Sequence, residues 1–207
     1  MSIVASVAAL AGSYLLGSVS FAVVVSRLFG LADPRSYGSG NPGATNVLRS
    51  GSKTAAALTL LGDAVKGALA VWLVRAFGPP FGIGELSVAL AALAAFTGHL
   101  YPVFFGFKGG KGVATTFGVL LALHPWLTLT CAGIFLIVLL LSGYVSLASM
   151  TAGIMFPIML LTVFSTPSLL FKIFSVVIAV ALVLTHKKNI GRLIRGEEKK
   201  FIRRKKT

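Results

Sequence analysis

Seven apolar runs order this chain, near residues 3–25, 55–77, 84–106, 113–126, 128–142, 147–165 and 168–185. Most approach the roughly 20 residues that one bilayer crossing needs, and in lipid a backbone can satisfy its polar groups only internally, so each run reads as a helix. Composition agrees: 207 residues that are 56% hydrophobic and 12% charged leave too little polar surface to cover a soluble globule. The fold class is therefore all-α, a polytopic membrane protein with about seven transmembrane helices joined by glycine-rich loops. The fifth run is shorter than a usual crossing, and only His124-Pro125-Trp126 divides it from the fourth, so five or six crossings stay open. The first run lacks a basic leader and is about as long as a crossing, which marks a retained helix. Cys131, the single cysteine, lies inside an apolar run and serves packing; it excludes an intramolecular disulfide.

Lysine and arginine set the expected orientation. With the amino terminus outside, segments 27–53, 107–112, 142–146 and 186–207 share one side and hold 16 of the 19 Lys and Arg. The positive-inside rule puts that side, with the carboxyl terminus, in the cytoplasm. One membrane domain over 1–193 and a basic tail over 194–207 follow, the tail touching anionic membrane lipids. Topology accounts for the net charge of +14, so no nucleic-acid partner is expected.

Three of the basic segments carry more than charge: GSGNPGATNVLR at 38–49, GFKGGKGVAT at 106–115 and HKKNIGRL at 186–193. Each combines fixed cations with glycine, amide or hydroxyl groups, which is what a multiply charged oxyanion needs from its host. Gly38-x-Gly40-x-x-Gly43 fits the dinucleotide fingerprint by spacing alone. It follows a membrane helix instead of a strand, contains Pro42, and finds Asp63 inside another apolar run, so that reading fails. A Walker loop fails too, because Gly112 follows Gly110-Lys111 where Ser or Thr is required. What survives is a phosphate cradle: Gly40 and Gly43 admit close backbone approach, a helix beginning near Ala44 to Val47 directs N–H groups outward, and Ser39, Asn41, Thr45, Asn46 and Arg49 add donors. Lys108 and Lys111 flank Gly109 and Gly110 in a pliable loop that brings two ammonium groups near one point. His186 and Asn189 stand three residues apart at the end of the last helix, on one face.

Polar residues within apolar runs give a second set. Asp63 and Lys66, in LLGDAVKGAL, are either an internal ion pair or part of the site. Ser146 is a candidate lining residue, whereas His99 and Tyr101 read as interfacial anchors. No His-x-x-x-x-Asp acyltransferase box occurs, since Phe104, Leu129 and Gly191 stand five residues after the three histidines. Three scattered histidines and five acids offer no metal-ligand spacing, so neither metal nor cofactor is expected. Chemistry at such a site has to run on anion stabilisation and positioning.

GSGNPGATNVLR, LLGDAVKG, KGGKGVAT and HKKNIGRL, in that order, resemble the bacterial acyl-phosphate:glycerol-3-phosphate acyltransferase (PlsY) family over about residues 3–193. The resemblance implies acyl transfer from acyl phosphate to the 1-hydroxyl of glycerol 3-phosphate, giving lysophosphatidic acid and phosphate in phospholipid biosynthesis at the bacterial cytoplasmic (inner) membrane. On that basis Ser39, Asn41, Thr45 and Arg49 are expected at the acyl-phosphate headgroup, and Lys108 and Lys111 at phosphate and the tetrahedral oxyanion. His186 and Asn189 are expected to hold glycerol 3-phosphate. Either a substrate phosphate or His186 takes the hydroxyl proton. A transporter of phosphorylated solutes is the main rival, but it calls for midplane anion sites and internal repeats, and no repeat is found. A noncatalytic lipid-binding scaffold would need basic charge without three glycine-rich cradles.

Overall fold

The first apolar run is two helices. In the computed structural model, which describes residues 3–164 and 168–201, α1 (Ile3–Gly17) stops at Ser18 and α2 (Phe21–Leu28) resumes at 43° to it. The break redirects hydrogen bonding: the Val23 amide donates to Ser20 O at 3.1 Å, so the Val19 carbonyl loses its helical partner. Lys66 takes that carbonyl instead, with Nζ donating at 2.7 Å.

The second run is α4 (Lys53–Phe77), preceded by the single turn α3 (Ala44–Val47), and the third is α5 (Glu85–Leu100). The fourth and fifth divide at His124, as α6 (Val113–Leu123) and α7 (Pro125–Ser142). Proline at the first helical position of α7 suits the break, because its missing N–H is an orphan there. The short member is thus α6 and not the fifth run. The last runs form α8 (Val145–Thr162) and α9 (Leu169–Thr185), and α9 turns through 58° at His186 into α10 (Lys187–Ile194). Four helices are long and apolar enough to cross a membrane, and counting each bent pair as one span gives six; α6 is the seventh apolar helix. Among the described residues no strand occurs, so the all-helical expectation holds. Residue 165 of the sixth run and residues 202–207 of the basic tail lie outside the described residues.

The chain gathers into two compact units, Met1–Leu123 and His124–Thr207. In the first, α4 packs on α1, α2, α5 and α6. Its seam with α6 is cut by glycine: a Cβ on Gly67 would strike the Thr115 carbonyl, and one on Gly118 would strike that of Ala64. Gly17 and Gly98 do the same between α1 and α5. Helices in lipid gain nothing by hiding apolar surface from each other, so close backbone approach supplies the attraction. In the second unit α8 packs on α7 and α9, with the rings of Phe156, Phe171 and Phe174 in edge and stacked contact.

Candidate active site

The first glycine-rich segment is shaped by one amide. Asn46 is buried, its Nδ2 donates to Pro34 O at 2.6 Å and Tyr37 O at 3.1 Å, and its Oδ1 accepts from Ser39 N at 2.9 Å and Arg49 Nη1 at 3.1 Å. Both of its hydrogens are directed inward, to the Pro34 and Tyr37 carbonyls, so Asn46 organises the loop. Gly38 must be glycine twice over: φ is +63°, and a Cβ would fall on Asn46 Oδ1. Around this staple Ser39, Gly40 and Arg49 are exposed, while Asn41, Gly43 and Thr45 are half-buried. The expected helix is only the four residues Ala44–Val47, followed by a 3-10 turn, too short for a helix-dipole argument.

A second brace joins this loop to the next. Arg35 pairs with Asp33 at 2.6 Å and donates through Nη1 to Phe105 O at 3.0 Å. The Arg35 hydrogen bond holds the Asp33 carboxyl below its ordinary range. Arg27, Ser36, Phe104 and Lys108 line an open cavity of about 690 Å³ with them. Phe107 adopts φ 59°, rare for a bulky side chain, immediately before Lys108. Lys108 is exposed and Lys111 half-buried. Gly109 and Gly110 lie on the end of α5, their amides donating to Leu100 O and His99 O at 3.1 Å each.

Beneath that loop sits a buried ionic cluster. Lys66 Nζ lies 2.8 Å from Asp63 Oδ1 and 3.0 Å from His99 Nδ1, besides its bond to Val19 O. The side chains of Lys66 and Asp63 are 1% and 4% exposed, so the internal ion pair is the arrangement found and neither presents a group to solvent. His99, expected as an interfacial anchor, is buried in this cluster, while Tyr101 is exposed and its carbonyl accepts from Tyr14 Oη at 2.7 Å.

The second unit holds its polar residues by other means. His186 is the joint between α9 and α10, capping the start of α10, where its carbonyl accepts from Asn189 N at 2.8 Å. Its Nδ1 lies 2.7 Å from Leu182 O, and a carbonyl only accepts, so Nδ1 carries the proton. Glu198 then gathers the neighbours: Oε1 accepts from Ser146 Oγ at 2.7 Å and from Asn189 Nδ2, and Oε2 accepts from Arg192 Nε at 2.6 Å. Burial would raise the Glu198 pKa, but the Ser146, Arg192 and Asn189 hydrogen bonds and the Arg192 charge outweigh it and hold the carboxyl below its ordinary range. Ser146, a candidate lining residue by sequence, has a single hydrogen and directs it to Glu198. Part of the tail is likewise structural, for Phe201 N donates to Gly143 O at 2.7 Å and Lys200 lies 5.5 Å from the Tyr144 ring centre. Among the described residues no three His, Cys, Asp or Glu side chains group as metal ligands.

A family model described as glycerol-3-phosphate acyltransferase matches residues 7–196. The chain belongs to that family. It is 55% identical to the glycerol-3-phosphate acyltransferase of Janthinobacterium sp. (strain Marseille), covering 94% of this chain and 96% of the relative. With that of Burkholderia pseudomallei (strain K96243) it shares 57% identity over 94% of this chain and 95% of the relative. Its fold matches a crystal structure of PlsY, described as an integral membrane glycerol 3-phosphate acyltransferase in the glycerol 3-phosphate form, with TM-score 0.87 and 38% identity over 95% of this chain and 96% of that one. A lysophosphatidic acid form of PlsY matches with TM-score 0.85 and 37% identity over 94% of each chain. This acyltransferase is thus a multi-pass bacterial membrane enzyme, and its family's reaction places it in phospholipid biosynthesis. Sequence reasoning missed two of its polar residues, His99 and Glu198. The unmet needs of Asp63 and Lys66 for partners in lipid signalled the first, and an acid within a basic tail, six residues from Arg192, signalled the second.

Proposed function

We propose that this acyltransferase moves a fatty acyl group from an acyl phosphate to the 1-hydroxyl of glycerol 3-phosphate. The observation that carries the reading is the close match to PlsY structures described as glycerol 3-phosphate and lysophosphatidic acid forms, which differ by one acyl group. The donor is the one the family resemblance implies: an acyl phosphate is a mixed anhydride that brings its own leaving group, and its phosphate suits the exposed cations Arg49 and Lys108 of the glycine-rich loops. The hydroxyl oxygen bonds to the acyl carbon, the carbonyl pair moves to oxygen, and collapse breaks the bond to phosphate. Phosphate departs and the hydroxyl proton goes to a phosphate oxygen.

In this reading Ser39, Gly40, Asn41, Gly43, Thr45 and Arg49 receive the acyl-phosphate headgroup, the exposed Arg49 fork supplying the charged bonds. Lys108 and Lys111, on the Gly109–Gly110 loop, neutralise phosphate and steady the oxyanion. His186 and Asn189 hold glycerol 3-phosphate. If His186 served as base it would act through Nε2, since Nδ1 is protonated against Leu182 O. The charge distribution supports an outside amino terminus and cytoplasmic loops.

The test is turnover by purified protein in detergent with palmitoyl phosphate and glycerol 3-phosphate, following lysophosphatidic acid and released phosphate, beside palmitoyl-CoA as donor. Turnover with the phosphate donor alone supports the reading. Turnover with the thioester alone overturns the donor, and none with either, from folded protein, overturns the reaction.

A further inference from the structure

Three ionisable groups inside apolar helices are costly, and apolar side chains would hold the same helices together. What the trio adds is a link to the loop above it. Lys66 Nζ hydrogen-bonds Val19 O at the α1–α2 break and His99 Nδ1, and pairs by charge with Asp63 Oδ1 at 2.8 Å, an oxygen that also lies 3.5 Å from His99 Nδ1. An ammonium only donates, so His99 Nδ1 accepts and Nε2 bears the imidazole proton. That fixes the ring with Nε2 toward the loops: a Cβ on Gly110 would fall on Nε2, and the Pro42 carbonyl lies beside the same point. The His99 backbone completes the grip, its carbonyl taking the Gly110 amide at 3.1 Å. One residue therefore meets the Gly109–Gly110 loop by ring and by backbone, borders the first glycine loop at Pro42, and is held from below by a charge anchored to a helix break.

We propose that Asp63, Lys66 and His99 are positioning residues, a buried bracket that fixes the Gly109–Gly110 loop, and with it Lys108 and Lys111, for the acyl-transfer step. The bracket touches no reacting atom; it acts through the loop. Its effect belongs to kcat, because displacing the loop weakens contacts that tighten in the transition state more than those that capture the ground state.

The proposal rests on the acyl-transfer reading only for its kinetic readout, and hydrogen exchange at the Gly109 and Gly110 amides reads the bracket without it. The decisive variant is Asp63→Leu with Lys66→Met, which replaces the buried pair by apolar groups of similar size and should keep the thermal midpoint at or above that of the unaltered protein. Full-length protein in detergent is expected to lose roughly 10- to 100-fold in kcat with little change in KM for glycerol 3-phosphate, and to exchange faster at 109–110. Unchanged exchange and unchanged kcat would reduce the trio to helix packing and end the proposal. Should the double variant fold poorly, His99→Asn decides. It keeps an acceptor for Lys66 and removes the ring edge under Gly110, so kcat should fall while the thermal midpoint holds; retained kcat overturns the proposal. If the unaltered protein shows no acyl transfer, the donor reading has failed and the exchange result still judges the bracket.

Discussion

The glycine loop of the first unit and the Glu198 cluster of the second assemble the same materials, cations and hydrogen-bond donors suited to an oxyanion, by opposite routes. At residues 38–49 the shaping is local: Gly38 sits at φ +63°, and one buried side-chain amide, Asn46, ties four groups within a 16-residue stretch of chain. Around Glu198 the side chains are arranged by a carboxylate that reaches Ser146 from 52 residues away. A loop stapled by a neutral amide, three of whose four bonds go to backbone, keeps most of its shape when its exposed charge is lost. A cluster organised by one charge loses order and electrostatics together.

The largest effect should come from removing the organiser of the second cluster. Glu198→Ala leaves Ser146, Asn189 and Arg192 without their common acceptor and should destabilise the protein by about 2–4 kcal/mol, charge-assisted bonds contributing roughly 1.5–3 kcal/mol each and not adding fully. A thermal midpoint unmoved from the unaltered protein would break the comparison. Next comes Asn46→Ala, expected to cost about 2–3 kcal/mol by orphaning the Pro34 and Tyr37 carbonyls and the Ser39 amide, and to raise KM for the donor. Arg49→Lys should separate shape from charge: stability nearly holds, because exposed Arg49 gives the Asn46 staple only one of its four bonds, while kcat/KM falls roughly 10- to 100-fold as a point charge replaces a fork. Near-normal kinetics would remove Arg49 from the headgroup.

Acid sharpens the contrast further. A carboxyl whose folded pKa is depressed contributes stability that is fully present above its unfolded value, near 4.3, and is lost as pH falls through the folded value. The Glu198 pKa is lowered, so the midpoint difference between the unaltered protein and Glu198→Gln should be constant from neutral pH down to about 5 and shrink below it. A difference that persists at the lowest pH measured would mean the bonds do not depend on ionisation. The smallest effect belongs to Asp33→Asn: its carboxylate and Arg35 are 34% and 27% exposed, and such a pair contributes about 0.2–1 kcal/mol, read as a slight midpoint shift.

The same contrast explains what was legible beforehand. The glycine loops declared themselves because glycine, proline and fixed cations act locally, within a few residues of where they stand. The limits of α4, α6, α8 and α9 fell within a few residues of the apolar runs for the same reason, as did the division at His124-Pro125. The bend after Gly17 breaks no pattern of hydrophobicity in Ser18-Val19-Ser20, and the carbonyl it frees, Val19 O, is taken by the Lys66 ammonium from 47 residues away. Asn46, Ser146 and Lys66 all spend donors on other groups of the protein, and the sequence does not name those partners, because a donor's direction depends on acceptors that periodicity does not place.

The sequence by itself determined that this chain is built of membrane helices, where its charged segments fall, and that those segments concentrate cations, glycine and hydrogen-bond donors; solvent sets these, and each residue meets lipid or water according to its own chemistry. Tertiary structure alone decided which polar groups meet one another: His99 with Lys66 across 33 residues, and Glu198 with Ser146 across 52. The reason is the cost of an unpaired charge in a low dielectric, which compels a partner but leaves its identity to the packing of the helices.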